Sequence, residues 1–436
     1  MVSRVACALA FILPVLVKAN PAPQRPPPPS NTVVCARAPA PSFPVSVASG
    51  FRAGPVLGGL TIPRGLTLDS RGNLLIVERG KGVTGHTVDN NGCVTRSRVV
   101  IADTDLNHGI GLSEDGTKLF ASSSTTVWSW DYNPRTLTAT NRRTIVRGIS
   151  AEAHRTRTLV LSKENPNFLV VSVGANENVD RASIDPAVGR SQIRSFDLRR
   201  IPNGGAVFNG PQGRVLGFGI RNGVGVAEDQ RGVVHTIDNS LDNAFRVVGG
   251  VQIDVHNDNP AEGIFRLGRA SNPSNVFAGA PFCYPVWDPS LITDSNMRIG
   301  DVFSIEPESE FNDGFCAANA QRPAALLPPH TSPLDITFGV NSDSSLYVTL
   351  HGSFNRAPAQ GYKVVRVPGR YTRDGWVPTA DPRSNSSFTN FLTNTRDEGL
   401  CEEGCFRPAS LVWSPNGRHL YVSSDTTGEV FLARRV

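Results

Sequence analysis

Six segments of this 436-residue chain each carry a guanidinium or an imidazole just ahead of an apolar run: Arg64, His108, His154, Arg221, His330 and Arg407. Guanidinium forks bind carboxylates through two parallel hydrogen bonds, so a ring of Arg and His is a receptor for something anionic and planar. After the second apolar runs come Glu78, Asn176, Asn239 with Ser240, and His351. Any one of these reads as a solvated loop residue; six cations or imidazoles in register read as a site. His154, in AEAHRTRTLVL, has the side chain suited to taking a proton near neutral pH. A histidine held by a backbone carbonyl fits the same spacing. Arg221 and Asn222 lie in GFGIRNGVG, where Gly217, Gly219, Gly223 and Gly225 either let backbone approach a ligand or mark tight packing at a wall. The stretch TIDNSLDNAF, Thr236 to Phe245, brings carboxylates at Asp238 and Asp242 and strand-end carbonyls around Asn239 and Ser240. Oxygen-rich turns of this kind suit calcium, and a plain Asx-turn accounts for the same residues.

A recurring phrase must position these residues. It runs PRGLTLDSRGNLLIVER from Pro63, NHGIGLSEDGTKLFASS from Asn107 and TLVLSKENPNFLVVSVG from Thr158. It returns as RNGVGVAEDQRGVVHTID from Arg221, PLDITFGVNSDSSLYVTLHG from Pro333 and RPASLVWSPNGRHLYVSSD from Arg407. Each copy is an apolar run, a polar turn and a second apolar run, the pattern of an antiparallel hairpin. Copies stand roughly 45 to 110 residues apart, which leaves room for two more strands each. The expected fold is all-β: a six-bladed β-propeller of four-stranded antiparallel blades. If the six hairpins are the inner pairs, their open ends meet at one mouth of the central channel. The least regular intervals, Thr158 to Arg221 and Arg221 to Pro333, are where extra loops would shape a pocket.

The N-terminus bounds the compartment. MVSRVACALAFILPVLVKANP has a cation, a short apolar run and small residues near Ala19, so residues 1–19 read as a secretory signal peptide. Residues 20–34 read as an extended Pro-rich leader, and 35–436 as the propeller. No later segment reads as a membrane helix, so a soluble, secreted, extracellular protein is expected. Removing Cys7 leaves six cysteines, an even number that favours disulfides in a secreted chain. Six allow fifteen pairings; the local set Cys35–Cys93, Cys283–Cys316 and Cys401–Cys405 is preferred. CEEGC also resembles half of a metal clip, but no second pair stands opposite it. Asn385-Ser386-Ser387 is a glycosylation sequon. The net charge of +5 is scattered, with no aromatic-interleaved basic stripe, so nucleic acid is not an expected partner. Phosphate-cradling loops, GxGxxG before a helix, HExxH and GxSxG are absent. Trp128, Trp130 and Trp413 sit in or beside strands and read as core.

Several stretches together resemble one family. GFGIRNGVG around Arg221, DVHNDNPAEG from Asp254, PFCYPVWD from Pro281, LHGSFNRAPAQGYKVVRVP from Leu350 and CFRPASLVWSPNGRHLYVSSDTTGEVF from Cys405 resemble the fungal pyrroloquinoline-quinone-dependent pyranose dehydrogenases. These are the twelfth auxiliary-activity family of carbohydrate enzymes, related to soluble quinoprotein glucose and sorbosone dehydrogenases. The resemblance implies pyrroloquinoline quinone (PQQ) and calcium as cofactors. It implies His154 as catalytic base and Arg221 as a second catalytic residue. It implies Arg64, His108, Arg221, Asn222, His351 and Arg407 as cofactor contacts, and oxygens at Asn239, Ser240 and Asp242 for calcium. Two departures stand out: Phe354 where the family has Trp, and His351 where some soluble relatives have Lys. The implied reaction oxidises a pyranose, at the anomeric carbon, by His-assisted hydride transfer to the quinone. The implied acceptor is a secreted cytochrome, with a copper polysaccharide monooxygenase receiving electrons indirectly. Members often carry a haem domain and a cellulose-binding module; neither is expected here, and a monomer is. The rivals are a calcium-dependent propeller hydrolase of lactonase type, and a non-catalytic propeller that binds a glycan or protein.

Overall fold

Asp69 shows how four of the six repeats turn. Its Oδ1 accepts the backbone N–H of Arg71 at 2.8 Å and of Asn73 at 2.9 Å, and Gly72 closes the turn with φ +79°. Asp229 repeats the device with Arg231, Val233 and Gly232 at φ +79°. Gly116 and Gly417 occupy the same place in two further hairpins, each donating its N–H three residues back. An acceptor side chain at the start and a residue free to adopt positive φ at the end make a tight reversal.

The computed structural model describes residues 32–33 and 35–436, less the side chains of Glu402 and Glu403. The expected signal peptide and most of the expected leader fall outside the described residues. All six hairpins are present, and each opens a blade. The inner strands are Pro63–Leu68, Ile110–Leu112, Leu159–Leu161, Gly225–Glu228, Pro333–Phe338 and Pro408–Trp413. Each inner strand neighbours the next, and Pro408–Trp413 neighbours Pro63–Leu68, so the described residues close a ring of six blades. Second strands such as Leu74–Glu78, Phe168–Val173 and Leu346–Leu350 are buried along their whole length, sandwiched between neighbouring blades.

The blades are less uniform than four strands each. Ala206–Val207 adds a parallel fifth strand to blade 2, and Val276–Phe277 does so for blade 3. Two N-terminal segments complete the last blades. Val45–Val47 pairs with Thr389–Asn394 in blade 5. Phe51–Leu57 pairs with Glu429–Arg435 as the outer strand of blade 6. Blade 4 carries the largest insertion, with the hairpins Phe245–Val248/Val251–Asp254 and Cys283–Pro285/Val302–Ser304 and the helix Asp313–Asn319. Arg246, almost fully buried, holds that insertion to itself by ion pairs to Asp294 at 2.6 Å and Asp313 at 2.7 Å.

The cysteines form Cys35–Cys93, Cys283–Cys316 and Cys401–Cys405 disulfides, so CEEGC is a covalent loop rather than a metal clip. Trp130 and Trp413 are buried, as expected of core residues; Trp128 is half-buried under Arg142. Asn385 of the sequon is exposed. No helix among the described residues is long and apolar enough to cross a membrane.

Candidate active site

The open ends of the hairpins gather into two adjoining groups. One lines a cavity of about 190 Å³ formed by His154, Arg221, Asn222, Asn239, Ser240, Asp242, Glu262, His330, Ser332, Phe354 and Asn355. The other comprises Arg64, His108, His351, Arg407 and Asp425. The segment that follows strand Leu346–Leu350 joins them: His351 belongs to the second group, and Phe354 and Asn355 line the cavity.

His154 is fixed from behind. The Arg157 guanidinium, fully buried, donates to the carbonyls of His154 at 2.6 Å, Thr156 at 2.7 Å, Ser124 at 2.9 Å and also Ser150. The imidazole Nδ1 lies 2.7 Å from Ala175 O. A carbonyl only accepts, so Nδ1 carries the proton and Nε2 keeps its lone pair. Burial, with the Arg221 charge beside it, lowers the His154 pKa to about 4. The ring is therefore neutral at physiological pH and in the tautomer of a base. Gly174 permits this placement: a Cβ there would lie 2.7 Å from His154 Cβ and 2.8 Å from Asn222 Oδ1.

Arg221 is the hub of the cavity. Its Nη1 donates to Asn239 O at 3.2 Å and Ser240 O at 2.7 Å; its Nη2 donates to Asn178 Oδ1 at 2.7 Å and Asp242 Oδ2 at 2.8 Å. The backbone N–H groups of Arg221 and Asn222 reach the two oxygens of Asp238 at 3.0 and 2.7 Å. Asn239 Nδ2 donates to Asn222 O at 2.9 Å and Pro333 O at 2.8 Å, tying the loop across to blade 5. The glycines flanking Arg221 meet protein, not open space: Cβ atoms would strike Leu267 at Gly217, Phe277 at Gly219 and Ile237 at Gly225. Tight packing explains them.

Three titratable groups stand behind this loop. Glu262, buried, accepts the Ser240 N–H at 2.7 Å. Burial pushes the Glu262 carboxyl up to about 8 and the Asp238 carboxyl up to about 7. His330 places Nε2 2.5 Å from His256 O and Nδ1 3.6 Å from Asp242 Oδ1. Burial pulls its pKa down, but the neighbouring Asp242 and Glu262 carboxyls and the His256 carbonyl outweigh that and leave it raised.

In the second group Asp425 bridges Arg64 Nη1 at 2.6 Å and His351 Nε2 at 2.7 Å. His108 is buried and its Nδ1 has no partner among the described residues. Burial and the charge of Arg64 hold its pKa well below the ordinary value. Arg407 lies over the Tyr362 ring, 4.9 Å from the centroid, and donates to Tyr362 Oη at 3.2 Å.

The residues named from the sequence thus assemble, except Glu78 and Asn176. Glu78 is consumed by Lys81, Thr84 and the Thr61 N–H. Asn176 bonds Ser150 and Asp180. Arg157, Asn178, Glu262 and Asp425 were not picked out by the sequence reading. Asp425 had a signal, since it follows the second strand of the sixth hairpin as His351 follows that of the fifth.

Donors left over at Arg64 and His108 fit a polycarboxylate ligand. The Asn239–Asp242 loop presents oxygen only, the donor type calcium takes. Those oxygens already face the Arg221 guanidinium, so a cation bound there needs an anionic group between it and Arg221. No group of three or more His, Cys, Asp or Glu side chains among the described residues is placed to hold a metal, so carbonyls must supply part of any shell.

The TrAA12-like family profile matches residues 45–436. The chain belongs to that family. Among TrAA12-like relatives, the pyrroloquinoline quinone-dependent pyranose dehydrogenase of Coprinopsis cinerea is 52% identical over 413 residues, 93% of this chain. This chain spans only 57% of that relative's length. The holo form of the pyranose dehydrogenase PQQ domain from Coprinopsis cinerea superposes with a TM-score of 0.90 at 52% identity, covering 92% of this chain and 99% of that one. The calcium structure of the Trichoderma reesei family AA12 enzyme superposes at 0.83 with 35% identity, covering 92% and 99%.

Proposed function

We propose that this TrAA12-like chain is a secreted, PQQ-dependent pyranose dehydrogenase. One observation carries the reading: His154 lines the cavity as a neutral imidazole whose Nε2 holds a lone pair, beside the Arg221 cation. PQQ and calcium, when bound, supply the two-electron acceptor and a Lewis acid. Arg64, His108, Arg221, Asn222, His351 and Arg407 are the residues to hold the quinone's carboxylates and carbonyls. Asn239, Ser240 and Asp242 are the residues to hold calcium.

The chain's own residues do the rest. His154 Nε2 takes the proton of the anomeric pyranose hydroxyl while the hydrogen on that same carbon leaves as hydride, which a bound quinone would accept. Nδ1–H stays on Ala175 O throughout, which keeps the ring oriented while it becomes imidazolium. Arg221 keeps positive charge on the cavity wall, where negative charge develops on the acceptor side. Electrons then leave to a secreted haem protein, with a copper polysaccharide monooxygenase as an indirect recipient. Three disulfides fit secretion. The protein acts as a monomer, without nucleic acid or membrane.

The test mixes purified apo-protein with calcium and PQQ. A shifted quinone absorption spectrum and sugar-dependent dye reduction are expected. An unchanged spectrum at micromolar cofactor overturns the reading.

A further inference from the structure

Asp425 joins three blades at one carboxylate. It follows strand His419–Ser424 of blade 6 and holds Arg64 of blade 1 and His351 at the end of the second strand of blade 5. All three side chains are largely buried, at 9%, 12% and 16% exposure. Its carboxyl is held far below the usual range, with the His351 bond and the Arg64 charge overcoming burial. It is therefore an anion among cations, in a place proposed to receive a trianionic cofactor. A plain reading makes it a misplaced repulsive charge.

Its geometry gives it another role. A carboxylate at 2.7 Å from His351 Nε2 fixes the proton on that nitrogen, so Nδ1 carries the lone pair. Nδ1 has no protein partner among the described residues. A lone pair repels a ligand carboxylate; an Nδ1–H binds it. The charged groups around His351 are Arg64, Arg407 and Asp425, with His108 beside Arg64. The two arginines and burial oppose a second proton on His351, and Asp425 supports it. An arriving anion shifts that balance toward the imidazolium.

We propose that Asp425 is a positioning residue that aims Arg64 and presents His351 as an imidazolium to an anionic cofactor, so that cofactor capture takes one proton from solvent onto His351 Nδ1. The inference rests on the reading of the chain as a PQQ protein. Affinity should then fall about tenfold for each pH unit above neutrality. Asp425→Asn removes a negative charge, so simple electrostatics makes PQQ bind more tightly. Loss of positioning and of imidazolium support makes it bind about tenfold more weakly, with less proton uptake.

The experiment titrates PQQ into calcium-loaded apo-protein at several pH values by calorimetry, in two buffers of different ionisation enthalpy. Expected are uptake of about one proton by the wild type and little by His351→Gln, with weaker binding and reduced uptake in Asp425→Asn. Asp425→Glu should restore part of both. Equal or tighter binding by Asp425→Asn overturns the proposal, and so does unchanged proton uptake in His351→Gln. If Asp425→Asn does not fold, the His351→Gln titration decides alone. If the wild type binds no PQQ, the functional reading fails instead; if it binds with no pH dependence, only this inference fails.

Discussion

Asp238 receives two consecutive backbone N–H groups, from Arg221 at 3.0 Å and Asn222 at 2.7 Å, one on each carboxylate oxygen. The carboxylate thus sets the backbone that presents the Arg-Asn pair. These bonds favour its charged form, yet burial wins and lifts its pKa to about 7.

That balance makes metal-free stability depend on pH. Asp238 and Glu262 have folded pKa values of about 7 and about 8, above those of an unfolded chain. A raised carboxyl contributes stability fully below the unfolded pKa, near 4, and loses it as pH rises through the folded value. The Tm of calcium-free protein should therefore fall by several degrees between about pH 5 and 8.5. Asp238→Asn should flatten that decline in scanning calorimetry; an unchanged slope would remove Asp238 from the account.

Removing the base should separate chemistry from binding. His154→Ala should lower kcat by about 10²- to 10⁴-fold while the PQQ dissociation constant stays within a few fold. Stopped-flow reduction of the bound quinone by sugar checks the first, and absorption titration the second.

A change that removes no functional group makes a sharper test of geometry. Gly174→Ala inserts a methyl against both His154 and Asn222. It should cut kcat about tenfold or more, because a displacement near 1 Å costs that much at a reacting centre. Near-wild-type kcat would mean that the placement of His154 tolerates movement.

Arg221 and Arg407 should fail differently. Arg221→Ala leaves Asp242, the Asn178 amide oxygen and three backbone carbonyls without their buried partner and should cost about 3–5 kcal/mol in denaturant unfolding. The Arg407 side chain lies over the Tyr362 ring and makes only long hydrogen bonds, through Nη2 at 3.2 and 3.4 Å. Arg407→Ala should therefore fold normally and weaken PQQ binding by about 10- to 100-fold. Parallel unfolding and binding titrations distinguish the two patterns.

The hairpins were legible because a polar turn between two apolar runs is a local device, closed in four of the six copies by a Gly three residues after an Asp or Ser. The added parallel strands, such as Ala206–Val207, were not. They are two residues long and exist only because a neighbouring blade edge accepts them. The Arg and His ring was legible because register carries it from copy to copy. Glu262 was hidden because it starts a third strand, outside the repeating phrase. Arg157 looked like a companion of His154 in HRTR, and its burial under four carbonyls has no local signal. Asp425 is the last residue of the sixth copy, in register with His351 of the fifth, and was hidden because an acid there breaks the pattern of cations and imidazoles.

The outer strand of blade 6 comes from residues 51–57, while its other three strands come from residues 408–435. During synthesis the first piece waits until Glu429–Arg435 emerges before it finds its partner. Val45–Val47 waits almost as long for Thr389–Asn394 of blade 5. Such sequence-distant pairing is slow to form, and a ring locked this way opens only as a whole. The expected molecule is a late folder that, once latched, resists proteases for long periods, a property that suits the secreted role proposed above.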